Sequence, residues 1–260
     1  MSLITKQKIK KELDALVLKY NCSDFIEHDP ISVPHAYTLQ QDIEIAAFFA
    51  AIFSWGNRTT IINKSKELLA RMDNAPYEFV LHHQEHDLKA LQGFVHRTFN
   101  DTDLLYCVDF FQRWYSENNS LELAFTQGMH KGDTDVEKGL VLFKELFFQA
   151  SYAPKRTQKH VSSPVSKSAC KRLNMFLRWM VRSDQQKVDF GIWKSIKPHQ
   201  LVCPLDVHVD RIAKHYGLVK RSSTDWLAAV ELTNSLKEFD ALDPVKYDFA
   251  LFGLGVNQKF

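Results

Sequence analysis

Glycine and proline are scarce in this 260-residue chain, nine and eight residues respectively, against usual shares of about 7% and 5%. So few turn formers argue against many short strands and for long helices. Cysteine is also thin. Cys22, Cys107, Cys170 and Cys203 lie far apart, with no Cys-x-x-Cys pair and no Cys/His run at zinc-binding spacing. A disulfide scaffold and a zinc module are thereby excluded, and the four are expected to be reduced, buried thiols. No apolar run approaches the roughly 20 residues of a membrane helix; the nearest, from Ile43 to Trp55, is interrupted by Glu44. The opening stretch MSLITKQKIKKELDALVLKY carries charge throughout and lacks the apolar centre and cleavage site of a secretory signal. The expected location is the cytoplasm. Nor is there an excess of one charge: 33 Lys and Arg face 31 Asp and Glu, a net +2. A polyanionic partner would have to be held by local charge.

The chain does have apolar residues, at 45%, and aromatic ones, at 12%, enough to bury a substantial core. Their spacing is three and four almost throughout, and no stretch alternates convincingly, so the fold class is all-α. Residues 1–40 are expected to form an N-terminal amphipathic helix and a loop, and 41–260 a helical domain. Within that domain, residues 41–54 are apolar on every side after the first turn, as suits a central helix. Trp55-Gly56-Asn57-Arg58 predicts a turn, and a further helix follows it. Helices are also expected over 101–115, 121–127, 135–150 and 225–239. Another is expected over 244–253, with Asp243-Pro244 as cap and first-turn proline.

Residues 154–172 (PKRTQKHVSSPVSKSACKR) form the most basic piece, a loop with Lys155, Arg156, Lys159, Lys167, Lys171 and Arg172 and no acid. An apolar helix starts at its end. A second helix of interest starts at Asp206, well placed as an N-cap. Lys171 and Asp206 thus each stand at a helix N-terminus, where the partial positive charge favours a neutral amine and an ionised carboxylate. That pairing suits a nucleophilic lysine. Residue type alone equally allows a plain cap and a solvated lysine. His82, His83 and His86, like Asp206, His208 and Asp210, are metal-ligating types without a convincing ligand set, and no cofactor or metal is expected. Arg97, next to His96, could meet a phosphate. Trp55, in a turn, is the tryptophan best placed to meet a base.

The string Pro204-Leu205-Asp206-Val207-His208-Val209-Asp210-Arg211-Ile212 resembles the P-[VL]-D-x-H-[VI]-x-R-[VI] segment of the helix-hairpin-helix (HhH-GPD) DNA glycosylase superfamily. Lys171-Arg172-Leu173-Asn174-Met175-Phe176-Leu177 is similar to the stretch in which its bifunctional members keep a Schiff-base lysine. DIEIAAFFAAIFSWGNRTTIINKSKELL resembles the first core helix and the turn after it, and YDFALFGLGV the closing helix. The resemblance spans roughly residues 42–255. It implies a two-lobed helical fold, with Lys171 and Asp206 as the catalytic pair and Trp55 at the base pocket. Asn57, Arg58, Lys155, Arg156, Lys159, Lys167 and Arg172 would face DNA. The partner implied is double-stranded DNA with a damaged base or an abasic site.

Two departures define the branch. Lys167-Ser168-Ala169-Cys170 stands where the family has its glycine-bearing L-P-G-V-G hairpin, whose amides grip a phosphate. Lysine and aspartate are also 35 residues apart (206 − 171), nearer to the archaeal 8-oxoguanine DNA glycosylases than to endonuclease III, whose iron-sulfur ligands have no counterpart here. The activity implied is a base-excision glycosylase and AP lyase acting on a flipped base, by this analogy an oxidised purine, or on an abasic site. In a bacterium this would place the protein at the nucleoid. The alternative is an inactive nucleic-acid-binding module of the same fold.

Overall fold

Helical periodicity dominates the structure as it does the sequence. The structure, a computed structural model, describes residues 3–257. It is predominantly α-helical, with a single two-stranded sheet among the described residues. The chain divides into two compact units, each assembled from discontinuous segments.

The unit formed by residues 26–128 and 139–162 is built on α3 (Gln40–Ile52), whose residues from Ile43 to Ile52 are all buried. The phenylalanines of α3 meet those of α6 (Asp101–Tyr115) and α8 (Glu137–Phe147). Phe48 lies edge-on to Phe111 with centroids 5.2 Å apart, Phe110 lies 4.4 Å from Phe147, and Phe143 stacks on Phe125 at 4.1 Å. Aromatic pairs in such geometries add to the simple burial of area. Glu44, fully buried amid this core, accepts from the Tyr115 hydroxyl (2.7 Å), the Ser120 hydroxyl (2.6 Å) and the Leu121 amide (2.8 Å). Four bonds, with Gln40 Nε2 as the last, satisfy a carboxylate that would otherwise be too costly to bury.

The remaining elements of this unit are α4 (Arg58–Ala70), α5 (Pro76–His82), α7 (Glu122–Thr126) and the hairpin β1 (Val95–His96) and β2 (Phe99–Asn100). Neither α5 nor the hairpin is predicted by the apolar spacing, because each is too short to show a period.

The other unit contains residues 3–25, 129–138 and 163–257. Its centre is α9 (Lys171–Val181), buried at every residue from Leu173 onward. The unit also contains α1 (Leu3–Tyr20), the first three residues of α2 (Ser23–Glu27), α10 (Val207–His215), α11 (Trp226–Lys237) and α12 (Tyr247–Asn257). α12 packs against both α1 and α10. Its glycines permit this: a Cβ at Gly253 would stand 2.4 Å from the Tyr20 ring, and one at Gly255 2.9 Å from His208 Cβ. The predicted cap at the start of the last helix takes another form. Asp243 precedes a short 3-10 turn, Pro244–Lys246, and makes no side-chain capping bond. Its carboxylate goes to Arg182 instead, at 2.9 Å. No helix among the described residues is long and apolar enough to cross a membrane. Cys107, Cys170 and Cys203 are buried free thiols, whereas Cys22 is only partly buried.

Candidate active site

Asp206 has extended backbone geometry, and its Oδ1 accepts from the amides of His208 (2.9 Å) and Val209 (3.0 Å). It is an N-cap of α10, and the bonds leave Oδ2 free to face another group. That group is Lys171: its Nζ stands 3.9 Å from Asp206 Oδ2, with 25% of the lysine side chain and 22% of the aspartate side chain exposed. The two readings open in the sequence, helix cap and charged pair, coexist in one residue.

The loop before Lys171 departs from a glycine hairpin in an instructive way. Lys167 and Cys170 both adopt left-handed backbone, at φ of 59° and 50°, a conformation that normally favours glycine. Two non-glycine residues thus bear the strain of this turn. What precedes it is only a 3-10 turn, Pro164–Ser166. The loop is tied down on several sides. Ser168 Oγ accepts from the Cys170 amide at 3.1 Å, Asn174 Nδ2 donates to Ala169 O at 3.0 Å, and Ser168 bridges to Asp225 at the head of α11. The Cys170 amide is therefore already spent within the loop.

Behind the pair lies a network of buried charges that apolar spacing had hidden. Arg178, two turns after Lys171 in α9, bonds Asp189 (3.2 Å) and Asp248 of α12, and its guanidinium lies 4.4 Å over the Phe249 ring. Arg182, one turn further, joins Asp184, Asp189 and Asp243. Burial pushes the Asp248 carboxyl up to about 6; Arg178 opposes the shift, the charge of Asp206 adds to it, and Lys171 opposes it. Asp248 is thus electrostatically linked to both members of the pair. The sequence carries one signal for this network: Arg178 is a charge within an otherwise apolar stretch of helix, Arg182 follows at its end, and Asp248 is an acid within YDFALFGLGV. Such residues need partners if they are buried.

With this geometry in view, the chain can be compared with known proteins. Residues 29–257 match the profile of the family described as "Protein of unknown function (DUF2400)". The chain belongs to that family. The match takes in the Lys171–Asp206 pair and most of both compact units but leaves out α1 and α2. No curated protein and no solved structure matches the chain.

The other residues singled out in this DUF2400 chain divide between the two units. Arg172 and Lys167 share a unit with Lys171; Lys167 is exposed, and Arg172 is partly buried, its guanidinium pushed below its ordinary value by burial. Trp55, Asn57, Arg58, Lys155, Arg156 and Lys159 belong to the other unit. Asn57 caps α4, accepting from Thr60 N at 3.1 Å. Lys155 and Lys159 are exposed. Arg156 is engaged internally: it bonds Thr98 O at 3.1 Å and Asn100 Oδ1 and pairs with the buried Asp103 at 2.9 Å. Trp55 is partly buried, with Arg97 over its ring and His160 edge-on at 6.1 Å. Among the described residues no three His, Cys, Asp or Glu side chains gather in a way that could hold a metal ion.

Proposed function

We propose that this protein is a DNA glycosylase with lyase activity, acting on double-stranded DNA that carries a damaged base or an abasic site. The observation that supports this reading is the approach of Lys171 Nζ to within 3.9 Å of Asp206 Oδ2, both partly exposed, at the heads of two helices. An amine beside a carboxylate and open to solvent is the minimum for nucleophilic attack on a sugar carbon. The other supports are the resemblance of PLDVHVDRI and KRLNMFL to the glycosylase segments and the acid-free run from Lys155 to Arg172.

In this mechanism the base is extruded from the stack, and Asp206 faces the positive charge that develops on the sugar as the glycosidic bond breaks. The base leaves with the bonding electron pair. Lys171 Nζ, its proton taken by Asp206 and passed on to the departing base, forms the new bond to C1′. Opening of the sugar ring yields an imine, and loss of a C2′ proton with elimination of the 3′ phosphate then cuts the strand. By the branch analogy the base is an oxidised purine, and in a bacterial cell the protein would work in the cytoplasm at the nucleoid.

A second reading has its own observation. The Cys170 amide, which a glycine hairpin would offer to a phosphate, is held by Ser168, as suits a binding module that has lost excision. Borohydride trapping on duplexes with an abasic site or 8-oxoguanine separates the two. The glycosylase reading expects a covalent adduct that Lys171→Ala abolishes and Asp206→Asn strongly reduces. Salt-sensitive DNA binding with no adduct on either substrate would support the binding module, and no DNA binding would overturn both.

A further inference from the structure

Trp55 and Arg97 form a second constellation, wholly within the unit of residues 26–128 and 139–162. The Arg97 guanidinium lies 5.2 Å from the centroid of the Trp55 ring. Three features hold it there. Arg97 opens the two-residue connection between β1 and β2, where Val95 faces Asn100 and His96 faces Phe99, and it does so at φ of 56°. A left-handed arginine is a strained choice at a position that glycine would fill freely. Gly56, at φ of 105°, lets the guanidinium lie against the backbone beside Trp55: a Cβ there would come within 2.3 Å of Arg97 Nη1. The hairpin itself is pinned from two sides, by buried His96, whose Nε2 meets Phe53 O at 3.0 Å, and by Arg156, which donates to Thr98 O at 3.1 Å.

The charges around Arg97 leave it uncommitted. Among the described residues no carboxylate stands within ion-pair distance of Arg97. The two acids that follow the hairpin are engaged elsewhere: Asp101 accepts from Gly93 N at 2.9 Å, and Asp103 pairs with Arg156 and accepts from Thr157 Oγ1 at 2.7 Å. Arg156 also ties the exposed lysines of the 155–159 turn, Lys155 and Lys159, to the same hairpin. The result is an exposed guanidinium over an aromatic ring, its hydrogen-bonding edges unpaired among the described residues, with further positive charge tethered alongside.

We propose that Arg97, laid on Trp55, is a phosphate-holding site for a DNA strand, separate from the Lys171–Asp206 pair. A planar guanidinium presents a fork of N–H donors that matches the oxygens of a phosphate. The contact with the indole and the close approach at Gly56 restrict the guanidinium before the strand arrives, so less freedom is lost on binding. Trp55 in this arrangement is the platform for a cation rather than the wall of a base pocket. The inference rests on the reading of the protein as one that binds DNA, but not on its chemistry.

The test is the salt dependence of binding of the full-length protein to an undamaged DNA duplex. Arg97→Gly removes the side chain and relieves the left-handed backbone, so loss of binding cannot be ascribed to strain. It is expected to weaken binding roughly tenfold and to lower the slope of log K against log salt by about one. Trp55→Leu is expected to weaken binding while leaving the slope unchanged, because the charge remains. Arg97→Gly with wild-type affinity and slope would overturn the proposal even if lysine trapping succeeds. If trapping fails while Arg97→Gly still weakens binding, the excision chemistry falls and this site stands. A wild-type protein that binds no duplex overturns both.

Discussion

Lys171 and Asp206 meet with 3.9 Å between Nζ and Oδ2, while Oδ1 of the same aspartate closes the first turn of α10. One carboxylate therefore holds a helix end with one oxygen and faces an amine with the other. Replacing it should separate stability from chemistry. Asparagine caps as well as aspartate, so Asp206→Asn should unfold within a few tenths of a kcal/mol of wild type yet give little trapped adduct. Asp206→Ala should lose about 1 kcal/mol as well as the adduct. Denaturant melts alongside trapping check both halves, and full trapping by Asp206→Asn would remove its charge from the mechanism.

Asp248 gives a pH signature of defined sign. Its carboxyl is pushed up to about 6 in the fold, above the value of about 3.9 of a free aspartate, so the folded state holds the proton more tightly than the unfolded chain. Its contribution is fully present below about pH 4 and is lost as pH rises through about 6. Wild type should therefore lose stability relative to Asp248→Asn between these limits and run parallel to it above them. Urea melts of both proteins from pH 4.5 to 7.5 measure the difference directly. A constant gap across the range would contradict the burial argument.

Glu44 anchors the phenylalanine-rich core through the Tyr115 and Ser120 hydroxyls and the Leu121 amide. Glu44→Leu strands these buried donors, each costing about 1–3 kcal/mol, and a total loss of at least 3 kcal/mol is expected by that measure. Glu44→Gln keeps an acceptor and should lose much less. Chemical denaturation followed by tryptophan fluorescence ranks the two, and equal losses would mean that the negative charge, not the acceptor, is what the core requires.

Gly253 sets how closely α12 approaches α1. An alanine Cβ there would fall 2.4–2.6 Å from three atoms of the Tyr20 ring, and Gly253→Ala should cost about 1–3 kcal/mol as overpacking. The loss should concentrate in α1, which also bonds α12 through Asp14 and the Tyr247 hydroxyl at 2.7 Å. Hydrogen exchange should show Leu3–Tyr20 opening in the variant while α9 stays protected. Uniform loss of protection would show instead that α1 is integral to the unit.

The sequence alone determined the helical class and most of the longer helices, because apolar spacing and end residues act within one or two turns. Asp101–Tyr115 appears at its expected bounds, and Asp206 caps as its position implies. The short α5 and the β1–β2 hairpin escaped because neither is long enough for a period to emerge. Lys171 and Asp206 could be nominated from residue type and from a resemblance, but that their side chains meet depends on how the fold brings together the heads of two helices 35 positions apart (206 − 171).

The tertiary structure alone decided the partners of Arg178, Asp248 and Glu44, and the laying of Arg97 on Trp55. Apart from Gln40, one turn from Glu44 on the same helix, those contacts join residues well separated in the chain. Whether a charge is buried with a partner or left in water is a property of the packed surfaces around it, which no local stretch of sequence contains.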